Sequence, residues 1–268
     1  MFKSHKSWAL LQLFLFIIIL FPFIMMLLFS FFTGWSWPHL FPQTLNVSAW
    51  SYLFSGNAGV QEAITNSLVI AFSATAVNLL LALPAAHALA QHTFAGKKIV
   101  EALLFAPLII PPFVAMMGLQ ITLIQWNLTD TRLGVTIAHL VPTFPYLLRP
   151  LYTSFTTLAS EWNAQARLLG ASRLQRFWYV SLPHLMPGIL AGVMLSLLVS
   201  FSQYLITLLI GGGAIKTLPL ILFPYITSGD LRMGATFSIL FTAVTLSILF
   251  IVEWCLKRFY KHRHTVPM

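Results

Sequence analysis

Long apolar runs separated by short polar stretches set the plan of this chain. Six segments are long and apolar enough to cross a hydrocarbon core of about 30 Å, which takes about 20 helical residues: 8–32, 67–91, 101–124, 134–155, 190–212 and 235–257. Each is predicted to be a helix, because lipid offers no partner to an open backbone. The first run follows Lys3 and Lys6. It is too long for the apolar region of a signal peptide, and no small-residue cleavage pattern follows it, so it reads as an uncleaved first helix. Prolines stand at Pro84, Pro107, Pro111, Pro112, Pro142, Pro145 and Pro150. Each removes a backbone donor and tends to kink its helix, and together they predict a cavity-forming bundle.

The polar stretches carry direction. Lys3, Lys6, Lys97, Lys98, Arg167, Arg173, Arg176, Lys257, Arg258, Lys261 and Arg263 fall on one side of the six spans, against Arg132, Lys216 and Arg232 on the other. Inner loops collect Lys and Arg, so both termini are expected in the cytoplasm. Trp35, Trp37 and Trp50 in the first outer loop read as an interfacial aromatic belt. Asp130 and Asp230 fall in outer loops, and Glu101 and Glu253 at inner span ends.

Composition agrees with this picture. Of 268 residues, 58% are apolar and 8% charged, with a mean hydropathy of +0.85. A soluble domain is about one quarter charged. The net charge of +9 follows from the loop asymmetry and does not call for nucleic acid. One cysteine, Cys255, permits no internal disulfide, and the eight histidines form no metal-binding pair. His87 and His139 lie within spans, where a packing role is expected.

The inner segment 156–189 is the informative loop. Glu161 to Leu169 is a run of good helix formers, and Gly170 suits a helix C-terminus. Ser172 is placed to cap a second short helix running to Val180. Pro183 and Pro187 are expected to turn the chain toward the next span. Two short helices on the cytoplasmic face conduct nothing, but they can dock into another protein and pass on a push.

Here the sequence resembles the membrane subunits of binding-protein-dependent ABC importers, whose hallmark is E-A-A, three residues, Gly, nine residues, I-x-L-P. Aligned on Gly170, Ala164-Gln165-Ala166 occupy the E-A-A positions, and Val180, Leu182 and Pro183 the I-x-L-P positions. The family's Glu is replaced by Ala164. Glu161, one turn earlier on a similar face, either stands in for it or is a solvated surface residue. Arg167, Arg173 and Arg176 either pair with acids on a docking partner or mark topology.

The resemblance implies an all-α permease fold. Its parts are a first helix with outer loop (1–59), a five-helix core (60–257) carrying the coupling loop, and a basic cytoplasmic tail (258–268). It implies a cell-membrane importer subunit that forms half of a translocation pathway, with a second permease subunit, either homologous or another copy, as the other half. It implies an extracytoplasmic solute-binding protein and a dimer of ATP-hydrolysing subunits that hold ATP and magnesium. No G-x-x-x-x-G-K-[ST] occurs in this chain, so no phosphate loop of its own is expected, nor any catalytic site, cofactor or metal.

The region from Gly211 to Gly213 through Thr217-Leu218-Pro219 resembles the branch serving polyamines, ferric iron, thiamine and phosphonates. The fifth span lacks the carboxylate that polyamine permeases tend to carry. Asn78, Gln203, Tyr204 and Thr207 are the candidate pathway residues, with helix-to-helix bonding as their alternative role. A stand-alone secondary transporter or channel is the rival reading. It should show a buried coupling carboxylate and inverted repeats, and the sequence displays neither.

Overall fold

The computed structural model describes residues 3–33, 39, 42–56, 58–158 and 160–264. Trp35 and Trp37 lie outside them. Helix α1 (Lys3–Phe31) leads into a two-residue antiparallel ladder of β1 (Phe32–Thr33) and β2 (Thr44–Leu45), followed by the short α2 (Ser48–Phe54). Helix α3 (Val60–Gln91), helices α4 (Lys97–Phe105) and α5 (Pro112–Gln125), and α6 (Arg132–Thr157) come next. The expected coupling loop holds α7 (Ser160–Leu168) and α8 (Arg173–Arg176). A π-helical turn, Phe177–Ser181, then joins α8 to α9 (Leu182–Phe201). The chain ends with α10 (Leu205–Gly211), α11 (Leu218–Thr227) and α12 (Leu231–His264). The fold is helical apart from the small ladder.

Among the described residues, four helices are long and apolar enough to cross a membrane: Leu11–Phe31, Val60–Gln91, Arg173–Phe201 and Leu231–Arg258. The third expected span is bent by 97° between Lys97–Leu108 and Phe113–Gln125, and counts as a fifth if the pair is one span. The break has a local cause. Pro111 precedes Pro112 and is held at φ −54°, ψ 128°, the extended region to which a residue before proline is confined. Helix α6 has the length to span, but it is amphipathic. Pro142, Pro145 and Pro150 lie inside it without ending it.

Two expectations are corrected. Pro183 and Pro187 do not turn the chain, and the second helix of the coupling loop is not a separate short helix. Pro183 lies just past a π turn, in which the Leu182 N–H reaches back five residues to the Phe177 carbonyl, and that wider turn accommodates the proline's missing N–H. Helix therefore runs without interruption from Arg173 to Phe201. The fifth expected span is discontinuous at its far end, where Ser202–Tyr204 separates α9 from α10.

The chain forms two compact units, Met1–Gln61 with Ile221–Val244, and Glu62–Leu220 with Thr245–Met268. In the first, Trp50 stacks between Phe31 (5.4 Å) and Phe54 (6.4 Å), and Arg232 donates to the Ser48 hydroxyl at 3.0 Å. Asp230 caps α12 by accepting the Met233 N–H at 3.0 Å.

The second unit is layered. One apolar cluster joins Ala82, Ala86 and Leu89 of α3, Leu147, Leu148 and Leu151 of α6, and Leu185 and Ile189 of α9. A second joins Ile70 of α3, Val135 and Ala138 of α6, Met116 and Leu123 of α5, and Ile206 and Ile210 of α10. Polar residues are buried on the same three long helices: Thr75 and Asn78 on α3, His139 and Thr143 on α6, Ser196 and Ser200 on α9. Without water at this depth these groups must bond each other. Thr75 meets Ser196 at 2.9 Å, and the Asn78 amide donates to Thr143 at 2.8 Å and to the Leu140 carbonyl at 3.0 Å.

Close approach of α6 and α9 depends on small residues. Gly188, Gly192, Ser196 and Ser200 recur every fourth residue and so share one helix face. A Cβ at Gly188 would collide with the Ser154 side chain and lie 2.8 Å from the Pro150 carbonyl. At Gly192 it would lie 3.1 Å from the Leu147 carbonyl. Small residues at such positions let membrane helices pack backbone to backbone.

Candidate functional site

The residues of the expected coupling loop form a helical hairpin whose turn is fixed by the sequence. Gly170 takes φ +82°, a conformation open to glycine and strained for other residues. Its N–H bonds the Arg167 carbonyl at 3.0 Å, and the Ala171 N–H bonds the Ala166 carbonyl at 3.0 Å. This paired closure satisfies the carbonyls at the end of α7. Ser172 opens α8 with a reciprocal cap. Its hydroxyl accepts the Gln175 N–H at 3.3 Å, and its own N–H donates to the Gln175 side chain at 2.8 Å.

The surface of this hairpin is apolar at its tip and basic around it. Leu168 and Leu169 are 86% and 88% exposed, although leucines normally seek cover. Ala164, Gln165, Arg167 and Arg173 are exposed beside them, with Ala166 half-buried. Glu161 lies on α7, with its side chain outside the described residues. Val180, Leu182 and Pro183 are half-buried where the hairpin meets α9. The base is anchored by His184, whose ring bonds the Thr157 hydroxyl at 3.1 Å and takes the Trp162 ring edge-on at 5.9 Å. The hairpin is thus continuous with the helix Arg173–Phe201.

The four candidate pathway residues separate. Asn78 is 1% exposed and bonds α3 to α6, which is the helix-bonding role. Gln203 and Tyr204 lie in the break between α9 and α10, both half-buried. Thr207, fully buried, is in the first turn of α10. Gln203 and Thr207 line a narrow cleft with Ser67, Ile70, His139, Ser200, Phe201 and Thr217. The cleft is too tight to admit a solute, so the cavity expected from the prolines is not open at this point.

His139 organises the cleft, and its partners were not legible in the sequence. Its Nδ1 lies 2.8 Å from the Ser200 hydroxyl and its Nε2 lies 3.1 Å from the Thr207 hydroxyl. Thr207 gives its one hydroxyl hydrogen to the Gln203 carbonyl at 2.8 Å. The Thr207 contact with the ring therefore needs an N–H on Nε2, which leaves Nδ1 to accept from Ser200. One imidazole bridges both sides of the break. The partners stand 61 and 68 positions away, and the four-residue recurrence ending at Ser200 was the one available hint.

The outer-loop acids have structural duties. Asp230 is the cap already described. The Asp130 N–H closes the end of α10 on the Ile210 carbonyl at 2.8 Å. Of the span-end acids, Glu253 pairs with Lys257.

Residues 78–264 match the family described as the binding-protein-dependent transport system inner membrane component. The chain is 30% identical over 199 residues to the molybdate/tungstate transport system permease protein WtpB of Thermococcus kodakarensis, covering 74% of this chain and 80% of that one. It is 29% identical over 199 residues to a putative 2-aminoethylphosphonate transport system permease protein of Salmonella typhimurium, covering 74% and 75%. The crystal structure of a bacterial ABC transporter involved in import of the acidic polysaccharide alginate superimposes with a TM-score of 0.65. It covers 99% of this chain and 98% of that one at 17% identity, a likeness of fold.

Proposed function

We propose that this chain, which belongs to the family of inner membrane components of binding-protein-dependent transport systems and so is a permease subunit of an ABC importer, couples ATP hydrolysis on a partner to alternating access for a small oxyanion. The partner ATPase, which holds the ATP and magnesium, receives the 160–183 hairpin. A second permease subunit completes the pathway, and the outer loops meet the solute-binding protein. Both termini lie in the cytoplasm, a direction that the distribution of Lys and Arg supports.

One observation carries the coupling. Two leucines stand almost fully exposed beside a basic, tightly closed turn, and that turn is continuous with a span. Exposed leucines in this setting mark a protein interface. Burying one stabilises a complex by about 1.5–3 kcal/mol. The stand-alone transporter reading is not favoured, because the family match supports a subunit that works within a larger transport system.

The solute reading draws on the named cargo of the relatives, molybdate or tungstate and a phosphonate, all bearing oxygen-rich anionic groups. The phosphonate relative falls within the branch that the Gly211–Pro219 region resembles. The fifth span offers hydroxyls and an amide with no carboxylate, which leaves an anion unopposed and a polyamine without a counter-charge.

The test is reconstitution in proteoliposomes with the ATPase, the second permease subunit and the binding protein. Uptake of molybdate or 2-aminoethylphosphonate that requires ATP is expected. Uptake by this chain with no ATPase present would sink the coupling reading. ATP-driven uptake of a different solute alone would sink the oxyanion reading.

A further inference from the structure

The cleft at the break of the fifth span holds a polar group that the fold itself does not use. Thr217 is 2% exposed and lines the cleft, and its hydroxyl has no hydrogen-bond partner among the described residues. A buried, unpaired hydroxyl is destabilising, and a hydrophobic residue of the same shape would avoid that cost. Around it, Ser67 accepts the Leu218 N–H at 3.0 Å through its hydroxyl oxygen, so its own O–H is left to donate. Gln203 contributes an amide. His139 holds Ser200 and Thr207 across the break.

We infer that this cleft is a contact site for a tetrahedral oxyanion, with Thr217, Ser67 and Gln203 as donors and His139 as the positioning residue that aligns the two halves of the broken span. The inference rests on the oxyanion reading above and assigns it residues. The lining carries O–H and N–H donors and no carboxylate. An anion with four acceptor oxygens is satisfied by converging neutral donors, and such charge-assisted bonds are stronger than neutral ones. A cation would find no charge to meet it.

The position suits a contact reached from one face. Ser67 and His139 each lie seven residues into their helices, from Val60 and from Arg132, a depth of about 10 Å at 1.5 Å per residue. The closed cleft has no room for the ion, so occupancy needs the two sides of the break to part. The Ser200 O–H is then released from the imidazole at the moment that an anion needs donors, while the Nε2–H keeps its hold on Thr207, whose own O–H stays with the Gln203 carbonyl.

The experiment uses the assembled permease–ATPase complex in nanodiscs, titrated calorimetrically with molybdate and in parallel with 2-aminoethylphosphonate, and assayed for uptake in proteoliposomes. Saturable binding is expected for the wild type. Thr217→Val should weaken it roughly tenfold, Thr217→Ser should restore it, and His139→Leu, which keeps all three donors but loses their alignment, should weaken it severalfold. Ser196→Ala, which alters the helix seam outside the cleft, should bind as wild type. Wild-type affinity in Thr217→Val, or equal weakening in Thr217→Ser, overturns the site while leaving the oxyanion reading intact. Wild-type complex that neither binds nor transports either anion, yet carries another solute, overturns both.

Discussion

Replacing Gly170 by valine separates the coupling hairpin from the membrane bundle. Gly170 sits at φ +82°. The left-handed region costs an ordinary L-residue about 1–2 kcal/mol, and for a β-branched residue it is a genuine outlier. Space is not the obstacle, because nothing lies within 4 Å of the position a Cβ would take. The penalty is therefore one of backbone conformation, about 2 kcal/mol or more for valine. The valine chain relaxes by abandoning the paired closure onto Arg167 and Ala166, which re-aims Leu168 and Leu169. If docking requires the native turn, that penalty appears as a loss of ATPase affinity of roughly thirtyfold, since 1.4 kcal/mol is a factor of ten. Asparagine tolerates the left-handed region better than other residues, so the expected order of ATPase retention is Gly, Asn, Ala, Val. The assay is co-purification of the ATPase with tagged permease from solubilised membranes, with membrane insertion checked separately. Full retention of the ATPase by the valine variant would refute the reasoning. So would an order that follows side-chain volume in place of backbone preference.

Truncating both exposed leucines, Leu168→Ala with Leu169→Ala, should weaken ATPase binding by at least tenfold, since each buried leucine is worth about 1.5–3 kcal/mol. The thermal stability of the isolated permease should not change, and surface binding measurements with nanodisc-held permease read both. Gly188→Val should do the reverse and destabilise the bundle by about 1–3 kcal/mol or more, because overpacking forces α6 and α9 apart. A lower melting temperature in detergent checks it. Ser172→Ala removes one side of the reciprocal cap and should cost about 1 kcal/mol. Faster hydrogen exchange confined to residues 172–177 is the expected readout, and unchanged exchange there would count against the cap.

The turn of the 160–183 hairpin was legible because its geometry is local. Gly170 ends a helix through its own backbone freedom, and Ser172 with Gln175 caps the next through side chains three residues apart. What local reasoning misjudged was continuity. Pro183 reads as a turn in the sequence, yet the π turn before it lets the helix continue through it.

Hydrophobic length alone determined that this chain is a helical membrane protein, since lipid permits little else, and charge asymmetry determined its expected direction. Tertiary structure alone decided which polar residues meet. Asn78 and Thr207 look alike in sequence, each a polar residue in an apolar run, yet one bonds α3 to α6 and the other lines the cleft with His139. The difference depends on which helix faces each of them across 60 or more residues of chain. Periodicity fixes a face but not the neighbour that covers it, so only packing could bring Ser67, His139, Gln203 and Thr217 to one place.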